Sequence, residues 1–142
     1  MSVPRRDLIE AGERWLALAD EHLRMARHAF SLQTSAPFRL IAFHAQQCAE
    51  TALKGFLVAN DIAFPHTHSI VRLLELAGTS PWWTYQGDEA EQLTPFAVVT
   101  RYALDDEPVT KAEGEHAVTA ADGILQAVRV ALSGLKTGGD SS

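Results

Sequence analysis

A polar set that core packing does not require falls on one helical stretch: His44, Gln47, Glu50 and Lys54, within His-Ala-Gln-Gln-Cys-Ala-Glu-Thr-Ala-Leu-Lys. At about 100° per residue, His44, Gln47 and Lys54 lie close in azimuth and Glu50 sits beside them. An imidazole, an amide, a carboxylate and an ammonium in one line form a donor–acceptor set suited to a small anionic ligand or a partner helix. The plainer reading of the same spacing is a solvated face with a Glu50–Lys54 pair at i,i+4, worth ~0.2–0.5 kcal/mol.

Three further strings carry chemically capable residues. Arg39 and His44 make an R-x4-H string, but five residues put their side chains on different helix faces, so a joint role depends on the reach of Arg39. Arg39 also stands in a first helical turn, where its charge opposes the helix dipole and calls for an acidic partner. His66-Thr67-His68 offers two imidazoles, yet no HExxH string and no cysteine pair accompanies it, and no metal site is expected. Arg101-Tyr102-Ala103-Leu104-Asp105-Asp106 gives either an Arg101–Asp105 ion pair or an arginine fork directed at a phosphate. Glycine-rich phosphate loops, GxSxG elbows, zinc clusters and dinucleotide fingerprints are absent, so no cofactor is expected.

The elements that position these groups read as helices. Ile9, Gly12, Trp15, Leu16, Ala19, Leu23, Ala26 and Phe30 share a face of a helix over 6–32, with Arg14, Glu21, Arg24, Arg27 and His28 opposite. Pro37 precedes a second helix, over 38–60, whose stripe is Ile41, Ala42, Ala45, Ala49, Ala52, Leu53 and Phe56. Its alanines allow a neighbouring helix axis to come close. Asn60-Asp61 stops that helix, and Thr67 is placed to cap a short one over 68–77. A helix over about 88–102 follows, broken or restarted at Pro95. Thr110-Lys111-Ala112-Glu113 is a capping box that opens a last helix with Ala117, Ala120, Ile124, Ala127, Val128 and Ala131 on one face. Gly114 and Gly123 within it point to close helix packing, with a bend as the alternative. The segment 136–142 reads as a disordered tail after a single domain spanning 1–135. The expected fold is all-α, an up-and-down bundle of four to five helices.

Composition bounds the function. The chain has 142 residues, 46% hydrophobic and 21% charged, with 12 Lys+Arg against 18 Asp+Glu and a net charge of −6. That balance suits one folded domain and argues against bulk nucleic-acid binding through positive charge. Residues 1–72 hold eight basic and seven acidic side chains, net +1, while residues 73–142 hold four and eleven, net −7. One cysteine, Cys48, allows no intramolecular disulfide and suits a reducing compartment. No uninterrupted apolar run approaches the ~20 residues of a membrane span, and a cytoplasmic protein with no membrane partner is the expectation. Trp82, Trp83 and Tyr85 either cover one end of the bundle or form an aromatic interface.

The ordered strings resemble the HEPN domain family over about Leu8 to Leu132. The resemblance rests on Trp15-x-x-Leu18-Ala19, on Phe43 to Leu57 with its Gln-Gln-x-x-Glu-x-x-Leu-Lys core, on Phe64 to Leu74 with Thr67-His68-x-Ile70-x-x-Leu73-Leu74, and on Arg101-Tyr102. It implies a helical bundle that usually dimerises. Prokaryotic members are often paired with a minimal nucleotidyltransferase in toxin–antitoxin couples, and many relatives are metal-independent RNases using an R-x4-6-H motif at a dimer cleft. This chain departs from the nuclease pattern: after Arg101, positions 105–108 read Asp-Asp-Glu-Pro, with no histidine, and Ala103 replaces the usual proline after Arg-Tyr. The resulting expectation is a homodimeric binding module, rather than an enzyme, that holds a nucleotide or partners a nucleotidyltransferase. Its cleft would be lined by His44, Gln47, Glu50, Lys54, His68, Arg101 and Tyr102. Lys54 and Arg101 would meet phosphate or a partner carboxylate, and Gln47 and Glu50 would set orientation. The alternatives are an RNase toxin, with RNA as substrate and Arg39, His44 or Arg101 as catalytic groups, and a purely structural dimerisation scaffold.

Overall fold

A computed structural model describes residues 3–32, 35–78, 93 and 108–140, with side chains to 137. Among them are four helices and no strand: α1 (Arg5–Phe30), α2 (Phe38–Ala59), α3 (Ile70–Ala77) and α4 (Lys111–Asp140). The segment expected as a helix over 88–102, together with Trp82, Trp83, Tyr85, Arg101 and Tyr102, lies outside the described residues. The rest matches the all-α bundle that the periodicity predicts.

Helix α1 buries Ile9, Gly12, Leu16, Ala19, Leu23 and Ala26, the face expected from spacing, and leaves Arg14, Glu21, Arg24, Arg27 and His28 exposed. Helix α2 is the central element and touches each of the other three. Every residue from Cys48 to Gly55 is buried, so this stretch has no solvated face. Helices α1 and α2 run antiparallel, since Gly12 meets Gly55 at one end and His22 meets His44 further along. At the crossing, a Cβ built on Gly12 would lie 2.7 Å from the Gly55 carbonyl oxygen, and one built on Gly55 would lie 2.9 Å from the Gly12 oxygen. The backbones therefore touch where neither residue has a side chain. Helix α4 runs parallel to α2, with Gly114 beside Ile41 and Ala121 beside Cys48.

Three ion pairs bridge the α1–α4 seam: Glu13–Lys136 at 3.0 Å, Asp20–Arg129 at 2.8 Å and Arg27–Asp122 at 3.4 Å. They recur every seven residues on each helix, in opposite directions. All are partly solvated, so each contributes no more than ~1 kcal/mol.

The helix ends show how far local signals reach. The capping box is formed as expected: Glu113 N–H donates to Thr110 Oγ1 at 3.1 Å, and Thr110 N–H donates to Glu113 Oε1 at 3.1 Å. Helix α2 stops at Asn60, where Asp61 takes a left-handed φ of 57° and Ile62 N–H returns to the Leu57 carbonyl at 2.8 Å. Helix α3 begins two residues later than expected. Its cap is Ser69, whose hydroxyl accepts from Arg72 N–H, while Thr67 Oγ1 accepts from Ser69 N–H. His68 is kept out of the helix by contacts to α2 described below. Helix α4 continues through Lys136 to Asp140, past the point where a disordered tail is expected, and the Lys136–Glu13 pair ties its end to α1.

The stretch Lys111–Thr137 is long and apolar enough, by length and composition, to cross a membrane, which an inspection for uninterrupted apolar runs does not detect. In the bundle its Ala117, Ala121, Ile124, Leu125 and Val128 are packed in the core.

Candidate functional site

The polar set on α2 converges on Glu50. Its carboxylate accepts from Gln46 Nε2 at 3.1 Å and His68 Nδ1 at 2.9 Å on Oε1, and from Lys54 Nζ at 2.9 Å on Oε2. Residues 46, 50 and 54 follow one another at i,i+4, so they form a straight line of contacts along the helix. The Glu50–Lys54 pair is not the solvated pair that its spacing suggests, because the two side chains are 6% and 10% exposed. The surroundings are apolar as well: Lys54 Nζ stands 5.9 Å from the centre of the Phe64 ring, and Phe64 packs edge-on against Trp15.

Burial alone would raise the pKa of the Glu50 carboxyl. Hydrogen bonds from Gln46, Lys54 and His68, with the Lys54 charge added, outweigh it and hold the pKa below the ordinary carboxyl value. Glu50 is thus an ionised, saturated anion inside the bundle. The charge of Lys54 is engaged by it, so the expected role of Lys54 as a free cation for phosphate does not match the geometry. Gln47 does not reach the carboxylate either; its Nε2 donates to Gln46 Oε1 at 2.7 Å. Gln46, which azimuth alone leaves out, occupies the central position. The signal that finds it is the 46–50–54 spacing.

His44 belongs to a second cluster. Its Nδ1 lies 3.0 Å from His22 Nδ1 on α1, and the ring centroids are 5.3 Å apart, close to the span of two rings meeting nitrogen to nitrogen. One ring donates and the other accepts, so the pair holds a single proton between its Nδ1 atoms. Burial, followed by the neighbouring His44, lowers the His22 pKa despite the charges of Glu21 and Glu50. Burial lowers that of His44. No bond joins His44 to Arg39, whose Nε is buried without a partner among the described residues. Arg39 and His44 are thus not brought together by a bond among the described residues, and Arg39 has no acidic partner among them. His66 and His68 stack edge to face, and no cluster of three or more metal-ligating side chains occurs among the described residues. Cys48 is buried, and desolvation pushes its thiol up to about 12, so it is an inert core residue.

A pH dependence follows from the imidazole pair. Its folded-state pKa values lie below the ordinary imidazole value of about 6.5, so the unfolded chain takes up protons first as the pH falls. The stabilisation is complete above that value and is lost as the pH drops towards the lowered folded values. Urea denaturation is expected to show a flat region at neutral pH and a decline below about 6.5, with His44→Gln removing part of that decline. Glu50 adds a separate loss below its ordinary carboxyl value.

A helical bundle with a buried polar cluster on its central helix and an adjoining histidine loop defines the class of this protein. The HEPN domain family model matches residues 12–131, which include Glu50, Lys54, His68 and the His22–His44 pair. The chain is also similar to TT1696 from Thermus thermophilus, at 31% identity and a TM-score of 0.68, covering 83% of this chain and 95% of that one. It is similar to ST0689, an archaeal HEPN homologue, at 27% identity and a TM-score of 0.68, covering 85% of this chain and 97% of that one. No curated protein matches. The chain belongs to the HEPN domain family.

Proposed function

We propose that this chain is a binding module, a homodimeric HEPN subunit that partners a minimal nucleotidyltransferase and, through the loop around His68, holds a nucleotide or the partner itself. A toxin–antitoxin couple is the setting this implies. The observation that carries the reading is the condition of the Glu50 cluster. Its carboxylate and ammonium neutralise each other inside the bundle, which suits a rigid platform for the loop above it. The sequence after Arg101 adds support, because the nuclease spacing there carries no histidine. With Lys54 engaged, Arg101 is left as the cation for phosphate.

Purification from the native host is expected to bring down a nucleotidyltransferase, or titration with ATP to give binding weakened by His68→Ala and Arg101→Ala. Absence of both would sink the proposal. The RNase alternative draws on the His22–His44 pair, since a hydrogen-bonded imidazole pair can both take and give a proton. RNA cleavage in the presence of a chelator, abolished by His44→Ala, would favour it instead.

A further inference from the structure

Glu50 and His68 form a carboxylate–imidazole dyad whose two ends see different surroundings. The Glu50 side chain is 6% exposed and the His68 side chain 54%. Because the carboxylate is ionised and accepts, His68 Nδ1 carries the proton, and in the neutral ring the free lone pair is on Nε2. The main chain is held too. Gln46 Nε2 donates to the His68 carbonyl oxygen at 3.2 Å as well as to Glu50, and Gln47 fixes which way the Gln46 amide faces. A residue in an exposed loop is thus gripped at two points by side chains one turn apart on a buried helix. A hydrogen bond that merely anchored the loop would need neither a fixed tautomer nor an outward ring; a histidine that moves protons needs both.

We propose that His68 is a proton acceptor, its Nε2 held outward to take the proton from a hydroxyl or water on a ligand seated at the loop between α2 and α3. Glu50 and Gln46 are its positioning residues. In that step the O–H bond breaks, an Nε2–H bond forms and the electron pair stays on oxygen. The resulting imidazolium lies against the Glu50 carboxylate, which stabilises it. His66, its ring centroid 6.0 Å away, has no such carboxylate among the described residues and is an internal comparison. This goes beyond the binding role proposed above, and its test does not depend on any partner.

Diethyl pyrocarbonate reports the availability of an unprotonated imidazole nitrogen: an N–C bond forms, a C–O bond of the anhydride breaks and ethyl carbonate leaves. On the full chain, with each histidine followed by peptide mass spectrometry, His68 is expected to react at least about three-fold faster than His66 at about pH 8.5, well above the ordinary imidazole range of about 6.5, because the carboxylate behind Nδ1 makes Nε2 the stronger nucleophile. Glu50→Gln is expected to remove that advantage and to leave the rate at His66 unchanged. A His68 rate no greater than that of His66, or an advantage that survives Glu50→Gln, overturns the proposal. Should Glu50→Gln fail to fold, the nitrogen shifts of wild-type His68 decide: a neutral ring protonated on Nδ1 supports the proposal, and one protonated on Nε2 overturns it.

Discussion

Glu50→Ala is expected to lower stability by about 3–5 kcal/mol, and Lys54→Met by distinctly less. The two changes break the same ion pair, but they leave different groups behind. Removing Glu50 strands an ammonium whose side chain is 10% exposed, with the Phe64 ring as its remaining polarisable neighbour. It also takes one of two acceptors from the Gln46 Nε2 amide, which is fully buried and keeps only the His68 carbonyl oxygen. Removing Lys54 leaves a carboxylate still holding two donors, Gln46 Nε2 and His68 Nδ1. Glu50→Gln combined with Lys54→Met is expected to recover much of the loss, because no net charge is then buried and the carboxamide oxygen can still accept. Urea denaturation at neutral pH measures all three. Equal losses for Glu50→Ala and Lys54→Met would mean that the cluster is not wired as described.

The second large effect is expected at the α1–α2 crossing. Glycine in a helix interior costs about 1 kcal/mol relative to alanine, so Gly→Ala normally stabilises a helix. At Gly12 and Gly55 the sign reverses. The added methyl would meet a carbonyl oxygen of the facing helix at 2.7 Å or 2.9 Å, and in each case a second atom, Ala59 Cβ or Trp15 Cβ, at 2.9 Å. Backbone cannot swing aside as a long side chain can, so the axes must separate, and overpacking of this kind costs about 1–3 kcal/mol. Each single Gly→Ala is expected to lower the thermal midpoint by several degrees. The double variant should lose less than the sum, since one separation of the helices relieves both clashes. A midpoint raised by either substitution would contradict the crossing.

Periodicity delivers α1, α2 and α4 because each buries an apolar stripe at helical spacing, and the capping box sets the start of α4 to the residue. The C-terminal end is harder. Gly and Ser in 136–142 argue for a tail, whereas the long-range contacts of Lys136 with Glu13 and of Arg5 with the Leu135 carbonyl accompany helix to Asp140. The candidate site is legible in composition but not in arrangement. Glu50, Lys54 and His68 are recognisable from sequence, yet a Glu–Lys pair at i,i+4 is the commonest signature of a wet helix face. Among the described residues, the packing of α2 against α1, α3 and α4 is what makes this one dry. His22 and His44 lie 22 residues apart on different helices, and their meeting depends on how α1 is set against α2, which no local pattern encodes. His68 stays outside α3 for a similarly non-local reason: Gln46 and Glu50 claim its carbonyl and its ring.

The ion pairs along the α1–α4 seam contribute little individually, but their order of signs carries information. Down α1 the charges at 13, 20 and 27 run minus, minus, plus, and their partners at 136, 129 and 122 run plus, plus, minus. A slip of one heptad in one direction would set Asp20 against Asp122. In the other direction it would set Arg27 against Arg129. Reversing α4 end for end would oppose Glu13 to Asp122 and Arg27 to Lys136. Each misalignment is penalised by like charges, while the apolar stripes beneath, built largely from alanine and leucine, would tolerate it far better. The inverted Arg27–Asp122 rung is what breaks the degeneracy. With three matching rungs, a slipped pairing would still look satisfied, so this seam works as a checksum on helix alignment more than as a source of adhesion.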